Sequence, residues 1–173
     1  EDTGWSPAWL TVEGVEGGGT LLAACALYLK SHSYGEYVFD WAWADAYRRH
    51  GLAYYPKLLG AVPFTPVPGS RLLARDDTSR DLLLHALLSF ARQGKLSSAH
   101  LLFISEADRA ACERAGWMLR ENVQFHWTQR ELEPGRSRQR DVRGRSLLAG
   151  AAHGCGRRPQ RGRDVRRASH DRL

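Results

Sequence analysis

The sequence lacks the features that mark a disulfide scaffold, a metal site or a membrane span. Its three cysteines, Cys25, Cys112 and Cys155, are far apart and form no CxxC pair, which favours reduced thiols packed as small apolar groups. The seven histidines show no metal-ligand spacing, so no metal site is expected. No apolar run reaches the roughly 18 residues of a membrane helix, and no signal-peptide pattern is visible. These absences predict a cytoplasmic protein with no membrane insertion and no permanently bound cofactor.

Lysine is missing from the last quarter of the chain, where arginine is abundant. Residues 129–173 hold thirteen arginines and no lysine against five acidic residues, a balance of +8, so residues 1–128 carry −2 of the total +6. The basic character of the whole chain is therefore no guide to the partners of its first 128 residues. Residues 129–173 also lack aromatic residues, which predicts a disordered tail. Their arginine bias is typical of GC-rich DNA translated out of frame; the alternative is an arginine-rich arm that binds RNA.

Strand and helix patterns alternate through the first 128 residues. Apolar residues at every second position indicate strands, and a spacing of three or four indicates helices. Pro63, Pro66 and Pro68 exclude a regular element near them and predict a rigid loop. The predicted order is a hairpin (8–13 and 20–29), a helix (40–50), strands (57–62 and 71–75), a helix (78–93), a strand (100–104), a helix (105–116) and a strand (117–127). This order predicts an α/β fold.

The first predicted helix carries aromatic residues at intervals of four. Asp40 is placed to cap this helix, and Phe39, Trp43 and Tyr47 share one of its faces, so we expect that face to join the core. The second helix is the clearest in the sequence. We expect Asp77 or Thr78 to cap it, Gly94 to end it, and its buried stripe to consist of Leu83, Leu87, Phe90 and Ala91.

Residues 32–47 combine six aromatic residues with three carboxylates and a histidine. Aromatic side chains form either core or the wall of a ligand site, and carboxylates among them are costly to bury unless they are paired or used. One interpretation is a core helix with a polar entrance. The other is an aromatic pocket with acid–base groups at its mouth. Composition leaves both open.

Four blocks of sequence resemble a known family. They are HSYGEYVFDW (residues 32–41), YYPKL (54–58), VPFTPV (62–67) and QFHW (124–127). In this order they resemble a bacterial family of predicted N-acyltransferases, labelled peptidoglycan biosynthesis or GNAT-like proteins and related to the FemAB peptidyltransferases. The resemblance covers about residues 4–128. It implies a GNAT-like mixed sheet with flanking helices over residues 1–128, followed by the predicted tail.

The resemblance also implies an activity and a larger protein. Members are expected to attach an acyl or aminoacyl group to an amine of a small molecule or peptide, with acyl-CoA or an aminoacyl-tRNA as donor. The family sequence continues into a second half that this chain does not match. The chain begins at Glu1 and its single methionine is Met118. We therefore expect an incomplete copy whose native start lies upstream and whose second lobe is missing.

Aminolysis of an acyl group needs a base, donors for an oxyanion, and alignment of both reactants. The candidate catalytic residues are Glu36, Asp40 and His126, with Asp45 as a further candidate base. The candidate substrate-binding residues are His32, Tyr34, Tyr37, Trp41, Tyr55, Lys57, Phe64 and Thr65. The three tyrosines are also candidate oxyanion donors, and Lys57 is a candidate partner for a substrate carboxylate or phosphate. Structural roles stay open: helix capping for Asp40, a solvated strand position for His126, and snorkelling for Lys57.

The sequence contains no pyrophosphate loop of the kind that CoA-binding GNAT proteins carry, and no recognisable signature of a serine or cysteine nucleophile. N-acyl transfer is the leading functional hypothesis. The alternatives are a non-catalytic module that recognises a glycopeptide, and RNA binding through the arginine-rich tail.

Overall fold

A computed structural model describes residues 3–15, 19–124 and 145–152 of the chain. These residues form a mixed α/β structure with seven strands in one sheet and three helices. The elements are β1 (Trp5–Glu13), β2 (Leu21–Lys30), α1 (Trp41–Arg49), β3 (Lys57–Gly60), β4 (Leu73–Ala74), α2 (Asp77–Gln93), β5 (Ser98–Leu102), α3 (Glu106–Arg114), β6 (Met118–Val123) and β7 (Arg145–Ala152).

The sheet has the strand order β1-β2-β3-β5-β7-β6, with β4 paired to β2. β3 and β5 run parallel, and every other pair of described strands is antiparallel. Parallel neighbours need a crossover connection, and α2 lies in the segment that joins β3 to β5. The chain therefore follows the predicted alternation of strands and helices, with β4 confirming the short strand predicted at 71–75.

The main core lies between the sheet and the helices α2 and α3. Leu83, Leu87 and Ala91 of α2 are buried as the helical spacing predicts, whereas Phe90 is partly exposed. The helix begins one residue earlier than expected, because Asp76 is its N-cap and accepts a hydrogen bond from the Ser79 amide. This geometry satisfies an amide that the first turn leaves without a partner.

The first helix is not part of the core. None of its residues is buried, Phe39 is 81 % exposed and Trp43 is 43 % exposed, so the expected core stripe is wrong. Asp40 does occupy the N-cap position, but its side chain makes no capping hydrogen bond. The physical reason lies opposite α1, where Trp43 and Tyr47 line an open cavity and are only partly covered by the sheet.

A strand also lies within the range predicted to be a disordered tail. β7 is hydrogen-bonded between β5 and β6, with Leu148 paired to Leu102 on one side and to Arg120 on the other. The expectation of disorder is therefore wrong for residues 145–152. Leu148 and Ala149 are buried, because this short apolar run of small residues suits the interior of a sheet. The remainder of residues 129–173, and Phe125 and Trp127 of the predicted last strand, lie outside the described residues.

Candidate functional site

The central strands present two different faces because successive side chains of a strand point to opposite sides. Leu58 of β3 and Leu101 of β5 belong to the core under the helices. Their neighbours line a cavity on the other face, which encloses about 690 Å³ of empty space, part of it open to solvent. The lining residues are Glu36, Val38, Asp40, Trp43, Tyr47, Tyr54, Lys57, Ser98, His100, Leu102, Met118, Arg120, Leu148, Ala149 and Gly150.

Lys57 is the centre of a buried hydrogen-bond network at one end of this cavity. Its Nζ donates to Glu36 Oε2 at 2.9 Å, to Asp40 Oδ2 at 2.5 Å and to Ser33 Oγ at 2.8 Å. Lys57, Glu36 and Asp40 are each at most 5 % exposed. The lysine therefore does not snorkel to solvent. A buried cation of this kind is tolerated because it is surrounded by carboxylates.

Asp40 accepts more hydrogen bonds than Glu36, all of them at Oδ2. Its Oδ2 also accepts hydrogen bonds from Ser33 Oγ at 2.6 Å and from the Tyr54 hydroxyl at 2.9 Å. The Tyr55 hydroxyl lies 2.7 Å from Ser33 Oγ and donates to it, since the serine proton is used on Asp40. Burial alone would raise the pKa of Asp40, but the hydrogen bonds from Lys57 and Ser33 outweigh it and lower the pKa. Asp40 is thus held as an anion.

Glu36 differs from Asp40 in both its hydrogen bonding and the direction of its pKa shift. Lys57 binds one of its oxygens, while Oε1 is buried and has no hydrogen-bond partner among the described residues. Burial raises the pKa of Glu36 more than the nearby Lys57 lowers it. Two carboxylates on one lysine therefore have pKa values displaced in opposite directions, an arrangement typical of acid–base sites. Because Glu36 is a lining residue of the cavity, its carboxyl is a candidate to exchange a proton with a bound ligand.

His100 is the main residue of the site that sequence reasoning missed. It lies on β5 among the cavity residues, with its Nε2 2.8 Å from Ser98 Oγ. Burial lowers its pKa to about 3, so the imidazole is neutral at physiological pH. A Cβ on the facing Gly150 would lie 3.2 Å from His100 Nδ1, so glycine at that position keeps this nitrogen uncovered. The sequence did contain a signal for this residue. Ser98 and His100 are two positions apart in an otherwise apolar strand, so their side chains point to the same face.

Several predicted substrate-binding residues lie away from the cavity, in a cluster of aromatic rings. The Phe64 ring contacts the rings of Tyr34 and Trp5 at centroid distances of 5.8 Å, and His32 packs edge-on against Tyr34. Gly35 has a φ of +81°, and a Cβ there would lie 2.6 Å from the Phe64 ring, so glycine allows the two loops to meet.

A second buried lysine, Lys30, packs against this aromatic cluster. Lys30 is fully buried, its Nζ donates to the Tyr34 carbonyl at 3.1 Å and it sits 3.9 Å from the centroid of the Trp5 ring. Burial lowers its pKa to about 8. The cation therefore supports the loop that carries Tyr34, while the ring of Tyr34 stays exposed.

The other candidates are dispersed. Tyr37 and Trp41 are exposed on the surface, and the exposed Thr65 hydroxyl donates to the Pro63 carbonyl. Asp45 is paired with Arg48 and Arg49 on the outer side of α1. His126 lies outside the described residues. Of the predicted residues, Glu36, Asp40, Tyr55 and Lys57 are brought together in one network.

The described part of the chain holds no group of three or more His, Cys, Asp or Glu side chains arranged to bind a metal ion. Within the same residues, no helix is both long and apolar enough to cross a membrane. Comparison with known proteins gives one finding. A family model described as FemAB-like, peptidoglycan biosynthesis/recognition, matches residues 1–134. Neither the curated proteins nor the solved structures give a match.

Proposed function

The chain belongs to the FemAB-like family of peptidoglycan biosynthesis and recognition, and we propose that its cavity serves N-acyl transfer, in which an acyl or aminoacyl group moves onto an amine. The observation that carries the proposal is Glu36, a cavity-lining carboxyl with a raised pKa whose buried Oε1 has no hydrogen-bond partner among the described residues. A base of this kind is what an amine nucleophile requires, because an ammonium group has no lone pair with which to attack.

In the proposed reaction the acceptor binds with its nitrogen at Glu36 Oε1. Glu36 removes a proton from the ammonium group, and the free amine attacks the acyl carbonyl carbon. The new C–N bond forms, the bond from that carbon to the sulfur or oxygen of the donor breaks, and Glu36 passes its proton to that leaving atom. Glu36 then takes a second proton from the nitrogen and releases it to solvent, so the amide product keeps one N–H. Lys57 holds the carboxyl in position throughout, since its Nζ bonds the other oxygen at 2.9 Å.

The developing oxyanion needs a hydrogen-bond donor aimed at it. His100 supports this role: it is neutral, Ser98 can occupy its Nε2 by donating to it, and its Nδ1 then carries the proton beside the uncovered space at Gly150. A neutral imidazole that donates to a carbonyl oxygen polarises it without releasing a proton to solvent.

The proposal includes a GNAT-like fold for the mixed sheet, supported by its parallel β3–β5 pair among antiparallel neighbours. The donor is an acyl-CoA or an aminoacyl-tRNA, and the absence of a pyrophosphate loop from the sequence favours the second. A second lobe of the same protein would complete the donor site.

A second candidate function has its own supporting observation. Tyr34, Phe64 and Trp41 are large aromatic side chains left exposed, and rings of this kind stack against the apolar faces of sugars. Recognition of a glycopeptide without turnover is therefore the alternative. Binding of RNA through residues 129–173 remains a prediction from sequence.

Mass spectrometry of the purified protein with panels of acyl-CoA and aminoacyl-tRNA donors and of amine acceptors tests the proposal. We expect acylated amine in the wild type and a loss of roughly 10²–10⁴-fold in turnover for Glu36→Gln, the usual contribution of a general base. Glu106→Gln, on the exposed side of α3, is the matched control. Circular dichroism checks that each variant is folded. Glycopeptide binding without product, or full activity in folded Glu36→Gln, would reject the mechanism.

A further inference from the structure

Arg120 lines the cavity but is not part of the hydrogen-bond network around Lys57. It lies on β6 and lines the cavity, and it forms no ion pair with a carboxylate among the described residues. Arg109 and Arg114 of α3 differ in this respect, since both bind acidic partners. We propose that Arg120 binds an anionic group of the acyl acceptor, so that the cavity selects amines carrying a carboxylate several bonds away from the reacting nitrogen. This inference rests on the proposed function.

The positions of the two ends of the cavity follow from the register of the sheet. Arg120 on β6 is level with Leu148 of β7, which is level with Leu102 of β5, while Lys57 of β3 lies beside the opposite end of β5. Three strand intervals separate β6 from β3, about 14 Å at roughly 4.8 Å each, and the offset along β5 adds about 13 Å at roughly 3.3 Å per residue. Even with long side chains reaching inward, a ligand that touches both ends must be extended.

The charges at the two ends have opposite signs. At one end, Glu36 and Asp40 are two carboxyl groups around Lys57, and their oxygens are suitable acceptors for an ammonium group. At the other end, Arg120 contributes a cation whose guanidinium matches a carboxylate in shape and in donors. An ω-amino acid or a short peptide carries both an ammonium group and a carboxylate, whereas a simple alkylamine carries the ammonium group alone.

The residue between the two ends is uncharged. Burial lowers the pKa of His100 to about 3, and the positive charges of Lys57 and Arg120 act in the same direction. Arg120 is thus close enough to His100 to influence it. A neutral His100 does not compete with Arg120 for the anionic group, and so the carboxylate of the ligand is directed to the far end of the cavity.

Isothermal titration calorimetry with two probes of equal length tests the inference without requiring turnover. The probes are 6-aminohexanoate and hexylamine at pH 7, which differ in the carboxylate. We expect the wild type to bind 6-aminohexanoate about tenfold or more tightly, as a charge-assisted arginine contact typically provides. Arg120→Gln should bind the two probes equally, and Arg120→Lys should retain part of the preference. Arg92→Gln, which removes an exposed arginine of α2 outside the cavity, should behave as the wild type.

The outcomes separate this inference from the proposed function. A preference that survives in Arg120→Gln, or a wild type that binds 6-aminohexanoate no better than hexylamine or not at all, overturns it. An Arg120-dependent preference in a protein that transfers no acyl group supports the binding role and rejects N-acyl transfer. Acyl transfer to amines that is indifferent to Arg120→Gln supports the proposed function and rejects the role of Arg120.

Discussion

Replacing Lys57 by methionine removes the cation that, among the described residues, contacts both Glu36 and Asp40. The methionine keeps most of the volume of the side chain, so the packing around Leu58 and Leu59 is little changed. The three hydrogen bonds from Nζ disappear, and Glu36 and Asp40 remain in a site where each is at most 5 % exposed. Removing one partner of a buried ion pair costs about 3–5 kcal/mol, which corresponds to a fall of about 10 °C in melting temperature for a domain of this size.

The loss should depend on pH with a definite sign. Without Lys57, burial dominates and raises the folded-state pKa of both carboxyls above their unfolded values, so the variant is most stable at low pH and weakens as pH rises through those folded values. In the wild type, the pKa of Asp40 is lowered. Its contribution to stability is therefore present above the unfolded pKa and is lost as pH falls through the folded one. The difference between the two proteins should grow from about pH 3 to pH 7.

Urea denaturation followed by tryptophan fluorescence at several pH values measures this difference. Lys95→Met removes an exposed lysine just after α2 and is the matched control, with an expected change below about 0.5 kcal/mol. Adding Glu36→Gln and Asp40→Asn to Lys57→Met should recover part of the loss, because the buried charges are then gone. A loss below about 1 kcal/mol, or one that does not vary with pH, would show that Lys57 does not compensate these carboxylates.

Three further predictions concern residues outside the network. Asp108 is fully buried and accepts hydrogen bonds from the Arg71 amide at 2.6 Å and from Ser70 Oγ at 3.2 Å. Asp108→Ala should therefore lower the free energy of unfolding, measured by urea titration, by about 3 kcal/mol. A change below about 1 kcal/mol would contradict this prediction. Trp43 is only about half covered, so Trp43→Ala should cost less than about 2 kcal/mol by the same measurement, and a loss typical of a core tryptophan would place it in the core. The buried thiol of Cys25, whose pKa burial raises to about 12, should react with a disulfide reagent only after unfolding; fast labelling of that residue under native conditions, read by peptide mapping, would show local opening.

The elements whose signals are local were the predictable part of the fold. The second helix has a polar cap, an apolar stripe and a terminal glycine within a single stretch, and the structure confirms all but Phe90 of the stripe and the exact cap. The loop around Pro63 follows from the geometry of proline alone. Such features are encoded by neighbours in sequence, so no knowledge of the rest of the chain is needed to infer them.

The exposure of α1 and the strand β7 were not predictable in the same way. Whether an aromatic stripe such as Phe39 and Trp43 is buried depends on what lies opposite, and here Trp43 borders an open cavity. β7 is a strand because the edges of β5 and β6 are available on both sides of it, and its own composition, rich in alanine and glycine, carries little β propensity. Tertiary context decided both cases.

The site itself combines local and non-local information. Glu36 and Asp40 drew attention because carboxylates among aromatics are costly to bury, yet nothing in the sequence pairs them with Lys57, which is 21 and 17 residues away. Successive side chains of a strand point to opposite faces, so Lys57 and Leu58 of β3 lie on opposite sides of the sheet. One of these residues enters the cavity, and its neighbour enters the core beneath α2.

The opposite orientation of neighbouring residues on β3 explains how one sheet can carry a charged site on one face and an apolar core on the other. Leu58 and Leu101 are fully buried on the helix side, and their packing fixes the register of β3 against β5. Since a slip of one residue would exchange the two faces of a strand, the register that buries these leucines is also the one that places Lys57 and His100 in the cavity. Substitutions that loosen the core there should therefore disturb the site before they unfold the chain. The reason is that Lys57 is the one side-chain hydrogen-bond partner that the described residues give to the Glu36 carboxyl.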